Sequence, residues 1–116
     1  MNDCLFCRIA RGEIPARKVF EDELVIAFHD INPARPMHLL IVPKHHIESL
    51  QTVTEGDEAV LGRMLAVANR LAVDNGSPDG FRVIINNGRI GGQEVPHLHA
   101  HLVGGSEPVG PMLKRN

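Results

Sequence analysis

Three histidines stand at alternate positions in "HLHAHLV": His97, His99 and His101, interleaved with Leu98, Ala100 and Leu102. A second group able to do chemistry is Cys4-x-x-Cys7, and "PKHHI" adds His45 and His46. A neutral imidazole is a competent nucleophile or base, and a neighbour bound to one ring nitrogen orients the other. Successive side chains on a strand point to opposite faces. The three imidazoles are therefore expected to line one surface while the apolar partners pack inward. A metal chelate is the alternative use of such a row. The outer pair would lie roughly 13 Å apart along an extended strand, against Zn–N bonds of about 2.0–2.1 Å. At most two adjacent imidazoles would share an ion, leaving another available.

The segment before the row, "NNGRIGGQEV" at 86–95, places three glycines between two strand patterns. Gly91 and Gly92 are expected to reach positive φ and let amide groups converge on an anion. Gln93 adds a neutral donor. Alone, such a loop is more often a plain turn; joined to the histidine row, it suggests a phosphate site.

The elements that must carry these groups can be read from the pattern. "DCLFCRIARG" reads as a first helix with Asp3 as N-cap and Gly12 as its stop. "ARKVFED", "LVIAFHD" and "MHLLIVP" read as three strands, the first two joined by a polar turn. "TEGDEAVLGRMLAVANRLAVDNG" is a long helix capped by Thr54, with Val60, Met64, Val67 and Leu71 at helical spacing. "GFRVIIN" and "HLHAHLV" supply a fourth and a fifth strand. Strands adjacent in sequence with one long helix inserted predict an α+β fold with a mainly antiparallel sheet.

Composition narrows the function classes. A chain of 116 residues suits one domain, 1–116, and is short for two. Apolar residues make up 43% and charged residues 22%, as in a globular protein. Twelve basic against fourteen acidic side chains give a net charge of -2. That balance, with four Phe and neither Trp nor Tyr, argues against a nucleic-acid binder. No long apolar run and no basic-then-apolar leader stand in the sequence, so no membrane association and a cytoplasmic location are expected. In a reducing compartment no structural disulfide between the two cysteines is expected.

"HLHAHLV" fits the His-φ-His-φ-His-φ-φ motif (φ apolar) of the histidine triad superfamily, and the sequence resembles that family over nearly its whole length. "GGQEVPHLHAHLVGG" is similar to its Hint branch of nucleoside phosphoramidases, as are "EIPARKVFEDELVIAFHDINPARPMHLLIVPKHHI" and "GPML". The resemblance implies a five-stranded antiparallel sheet with two helices, dimerising into a continuous ten-stranded sheet. It implies hydrolysis of the P–N bond of a purine nucleoside 5′-phosphoramidate, releasing AMP or GMP and an amine. His99 matches the nucleophile that forms a nucleotidyl-histidine intermediate, its Nδ1–H held by a nearby backbone carbonyl. His101 matches the donor to the phosphate oxygens, and His97 the first histidine of the triad. Asp30 matches the ribose-binding acid. Phe6, Ile9, Ile14, Phe28 and Ile31 match the purine walls, and Asn86 and Gln93 match ribose and phosphate contacts. Glu94 stands where animal members carry a serine near the leaving group, and Pro96 where an aromatic residue is common.

Members with an N-terminal Cys-x-x-Cys imply a structural zinc ion held by Cys4, Cys7, His46 and His97. That set conflicts with His97 as general acid to the leaving amine, and the sequence leaves the two roles open. His29 is read as framing the pocket entrance, His38 as a surface or packing residue, and His45 as exposed. Two further readings stand beside the phosphoramidase. One is a dinucleoside polyphosphate hydrolase using the same nucleophile. The other is a zinc-containing purine nucleotide-binding regulatory protein with little turnover.

Overall fold

The computed structural model describes residues 4–113, so the expected cap Asp3 lies outside the described residues. Helix α1 (Leu5–Ala10) is capped by Cys4, whose sulfur accepts the Cys7 amide at 3.3 Å. It stops at Gly12, where φ is 78°, a left-handed turn that glycine adopts without a Cβ penalty. Strands β1 (Lys18–Glu21) and β2 (Val25–His29) form a hairpin. Its turn is made by Asp22, whose Oδ1 accepts the amides of Leu24 at 2.8 Å and Val25 at 2.9 Å. After β3 (Met37–Pro43) the chain crosses over through helices before returning as β4 (Arg82–Ile84) and β5 (Ala100–Gly104). The sheet order is β1-β2-β3-β5-β4, antiparallel at every pair. The five-stranded antiparallel α+β expectation is met.

Three boundaries differ from the pattern reading. The long helix begins as a 3-10 turn at Glu55–Asp57, closed by Thr54 N–H donating to Asp57 Oδ2 at 2.9 Å, so Thr54 caps that turn. The helix proper runs as α2 (Glu58–Ala66) and α3 (Ala68–Asp74), with one irregular residue, Val67, at ψ −9°. Bonds from Val67 N–H to Arg63 O and from Leu71 N–H to Val67 O, both 3.1 Å, cross the irregularity, so the two pieces stay one rod. The fifth strand starts at Ala100 rather than at residue 97. His97 N–H donates to Val95 O at 2.8 Å and Leu98 N–H to Ile47 O at 2.7 Å, which takes both amides out of the ladder with β3. The first two histidines thus sit on an ordered approach to the strand.

The alternation survives this correction. Leu98, Ala100 and Leu102 are fully buried against Val60, Met64, Val67 and Leu71 of α2 and α3, together with Val25, Ala27, Leu39 and Ile41. On the opposite face Ile26, Phe28, Leu40 and Val42 are covered by Phe6 and Ile9 of α1. Both faces of the central strands are therefore roofed. The expected surface row is instead interior at its first two members, with His97 0% and His99 5% exposed, while His101 is half-buried. The short α1 is what covers it.

Leu98→Ala is expected to lower the unfolding free energy by about 2–5 kcal/mol, the range for emptying a packed leucine site. Ile31→Ala, at a position 95% exposed, should stay within about 0.5 kcal/mol of the parent. Urea titrations of the two variants check this, and equal midpoints would contradict the layer assignment.

Candidate active site

The hydrogen bonds around His99 fix its chemistry. Its Nδ1 lies 2.8 Å from the carbonyl oxygen of His97. A carbonyl only accepts, so Nδ1 carries the hydrogen and Nε2 keeps its lone pair. Phe6 packs edge-on against the ring at a centroid distance of 5.2 Å, which limits its rotation. Nε2, with its lone pair, is thereby left for the cavity that His99 lines.

His101 is fixed in the opposite sense, through a residue that the pattern reading set aside. The Ala34 amide donates to His38 Nδ1 at 2.9 Å, so neutral His38 carries its hydrogen on Nε2. That Nε2 lies 3.0 Å from His101 Nδ1, which must then accept. His101 accordingly carries its own hydrogen on Nε2. The two neighbouring rings, 5.1 Å apart, offer one lone pair and one N–H donor. His38 is 7% exposed, a buried positioning residue and not a surface one. The available signal was its place in "MHLLIVP": a polar side chain inside an otherwise apolar buried strand needs a hydrogen-bond partner.

A cavity of about 260 Å³ collects Phe6, Asp30, Asn86, Glu94, His99 and His101, with Leu40, Gly92 and Val95 completing its walls. Neither Lys nor Arg is among the described residues lining it. Asp30 uses Oδ1 to accept the Asn32 amide at 2.8 Å, and its Oδ2 lies 3.4 Å from His38 Nε2. Asp30 is thus both a turn former and a cavity wall. Asn87, next to Asn86, makes the turn bond, accepting the Leu50 amide at 2.8 Å.

Other expected contacts fall elsewhere. Phe28 lies behind Phe6, with ring centroids 5.7 Å apart, and Ile9 and Ile14 pack in the same cluster; Ile31 points to solvent. Gln93 is spent on the loop itself. Its Nε2 donates to Glu48 O at 2.7 Å and Val95 O at 2.9 Å, while its Oε1 accepts the Gly88 amide at 2.9 Å. It shapes the wall rather than presenting a donor to it. Gly92 has φ 76°, but Gly91 does not share that region. Gly91 is needed for space, because a Cβ there would collide with the Asn87 backbone. His29, at the end of β2, is not among the described residues lining the cavity.

Cys4, Cys7, His46 and His97 bring four ligand atoms within 4.8 Å of one another. Cys4 Sγ lies 3.1 Å and Cys7 Sγ 3.5 Å from His97 Nδ1, and Cys7 Sγ lies 3.2 Å from His46 Nδ1. Neighbouring ligands on a tetrahedral Zn²⁺ stand about 3.3–3.8 Å apart for Zn–N and Zn–S bonds of ordinary length. Two soft sulfurs and two imidazoles at these spacings fit that ion. His97 Nε2 donates to Pro43 O at 2.8 Å, which leaves Nδ1 with the lone pair a metal needs. Asp30, His38 and His101 form a second tight group, but His38 Nε2 carries the hydrogen there and has no lone pair to give.

Electrostatics agree with neutral rings. Burial pushes His97 down to about 4, with the neighbouring imidazoles adding to it. Burial, then the charges His99 and His38 would carry, lowers His101, while Asp30 and Glu94 pull the other way.

Comparison with known proteins gives a consistent picture. The HIT domain family profile matches residues 11–108. The purine nucleoside phosphoramidase of Escherichia coli strain K12 is 47% identical over 113 residues, covering 97% of this chain and 94% of that protein. Protein HitA of Neisseria gonorrhoeae is 47% identical over 104 residues, 90% of this chain and 97% of HitA. A crystal structure of a HIT family hydrolase from Legionella pneumophila superposes with a TM-score of 0.86 at 48% identity, covering 90% of this chain and 95% of that one.

The neutral, buried imidazoles generate a stability prediction for the metal-free protein. Their native pKa values lie below the unfolded value of about 6.5, so the unfolded state binds more protons below that pH. Stability should therefore be complete above pH 6.5 and fall on acidification, the His97 contribution down to about pH 4. Urea midpoints measured from pH 7.5 to 4.5 check this; a flat profile would mean the rings are not held neutral.

Proposed function

The chain belongs to the HIT family, and from that premise we propose that it is a purine nucleoside phosphoramidase, a hydrolase acting through a nucleotidyl-histidine intermediate. The observation that carries this reading is the opposed tautomers of His99 and His101 in one cavity. His99 Nε2 attacks the α-phosphorus of an adenosine or guanosine 5′-phosphoramidate. The P–N bond breaks, and the leaving nitrogen, protonated in the bound substrate, departs as the amine. The positive charge gained by the His99 ring is met by the His97 carbonyl on Nδ1–H. His101 Nε2–H donates to a non-bridging phosphate oxygen, a donor held in place before the charge develops. Water then attacks phosphorus, the P–N bond to His99 breaks, and AMP or GMP leaves with a proton released to solvent.

Asp30 receives the ribose hydroxyls with Asn86 beside it, and Phe6 forms the apolar wall toward the purine. Ile9, Ile14 and Phe28 back that wall, and Glu94 borders the leaving-group side. His97 is not assigned as general acid, because one ring nitrogen is committed to Pro43 and the other faces the cysteine sulfurs. The ion assigned to Cys4, Cys7, His46 and His97 is Zn²⁺, which would supply a structural crosslink between α1 and the sheet.

The working unit is read as a homodimer of the single domain 1–116, two sheets joining across β4 into ten strands. Supporting this, β4 is an edge strand, and Phe81 and Ile84 are exposed there. Among the described residues no helix is long and apolar enough to cross a membrane. The thiol-bearing metal set suits a reducing cytoplasm.

Release of AMP from an adenosine 5′-phosphoramidate tests the assignment. The parent should turn over and His99→Ala should be slower by at least about 10²-fold, as expected for loss of a nucleophile. Equal rates would remove His99 from the mechanism. AMP binding without turnover in the parent would favour a regulatory binding protein.

A further inference from the structure

The cysteine-histidine set and the nucleophile are joined by three short connections. His97 gives its side chain to the set and its carbonyl to His99 Nδ1 at 2.8 Å. Ile47 follows His46 directly, and its carbonyl accepts the amide of Leu98 at 2.7 Å, the residue between His97 and His99. Phe6 stands between Cys4 and Cys7 in α1, and its ring meets those of His99 at 5.2 Å and His97 at 5.8 Å. Each connection starts within two residues of a ligand and ends on His99 or on the residue before it.

We propose that the Cys4, Cys7, His46 and His97 set is a positioning device for His99, so that metal loading governs turnover far more than nucleotide binding. The inference rests on His99 being the nucleophile and deepens that reading. A purely structural anchor would need only to keep α1 on the sheet. Here the ligands instead bracket the backbone whose carbonyl selects the tautomer of His99. The groups assigned to the ribose, by contrast, have other supports. Asp30 is held by Asn32 and His38, and the Asn86 loop by Gln93 and Asn87. Loosening the set should therefore disturb attack geometry while leaving the ribose-binding groups in place, so that binding suffers less than attack.

The experiment uses ¹⁵N-labelled protein loaded with Zn²⁺, stripped with a chelator under reducing conditions, and reloaded. Ring ¹⁵N NMR follows His99, and kinetics on an adenosine 5′-phosphoramidate give kcat and KM separately. Stripping should lower kcat about 10- to 100-fold and move KM less than about threefold, the scale for losing an orienting shell or about an ångström of placement. The His99 Nδ1 signal should lose its single hydrogen-bonded position, and Zn²⁺ should restore both. Unchanged kcat and unchanged His99 signals in the stripped protein would overturn the proposal. If stripping unfolds the chain, Cys4→Asp loaded with Zn²⁺ takes its place, since the shorter Zn–O bond redraws the set. A folded, metal-loaded Cys4→Asp protein with parental kcat and His99 signals would overturn it equally. A parent that never turns over would sink the phosphoramidase reading alone, because the NMR signals still decide this one.

Discussion

The hydrogen bond from His99 Nδ1–H to the His97 carbonyl, 2.8 Å long, is the constraint on which the rest of the site depends. Without it nothing holds the hydrogen of His99 on Nδ1, and the nitrogen facing the cavity can carry it as a donor instead of presenting a lone pair. With it, one tautomer is selected before any substrate arrives. His97 can hold its carbonyl there because its own ring is fixed at both nitrogens, by Pro43 and by the cysteine sulfurs. His101 needs the reverse tautomer, and a separate chain through His38 and the Ala34 amide provides it. Two adjacent imidazoles thus acquire opposite tautomers from two backbone groups, one acting directly and one through the His38 ring.

This arrangement requires a sheet with no bare face. One side is packed by α2 and α3 on Leu98, Ala100 and Leu102. The other is covered by a helix of only six residues, α1, whose Phe6 touches both the apolar cluster and the imidazoles. A six-residue helix is too short to hold itself in water. Its hold on the sheet comes from the buried Phe6 and Ile9 and from Cys4 and Cys7 beside His46 and His97. The same few residues roof His99, wall the cavity and offer atoms suited to a metal. Burial also keeps His97 and His101 below the ordinary histidine range, so both rings flanking His99 are held neutral.

Much of this was legible in the residues, and the failures have physical causes. Alternation at 97–102 correctly sorted six side chains onto two faces, because period two persists on the irregular approach to β5. What it did not show was that the imidazole face is covered, since that depends on where α1 docks. His38 was passed over because a single histidine in a strand has no periodic signature; its partner is 63 residues away. Gln93 looked like a phosphate donor by type, yet three short bonds to the backbone of Gly88, Glu48 and Val95 consume it. Ile31, matched to a purine wall by likeness, follows the turn at Asp30 and is exposed. The two-glycine step at 91–92 was half right: one residue needs positive φ, the other needs the absence of a Cβ. The sulfur-imidazole set could be suggested from spacing and likeness, and its closeness depended on the fold.

The central claim is that His99 Nε2 becomes covalently attached to the nucleotide. The direct measurement is to mix the protein with an adenosine 5′-phosphoramidate, quench in alkali within the first turnover, and map the protein by mass spectrometry. The account predicts an added adenylyl group on the peptide containing His99, at a ring nitrogen, that disappears as AMP is released. Turnover with no adduct, or an adduct on any other residue, would contradict it.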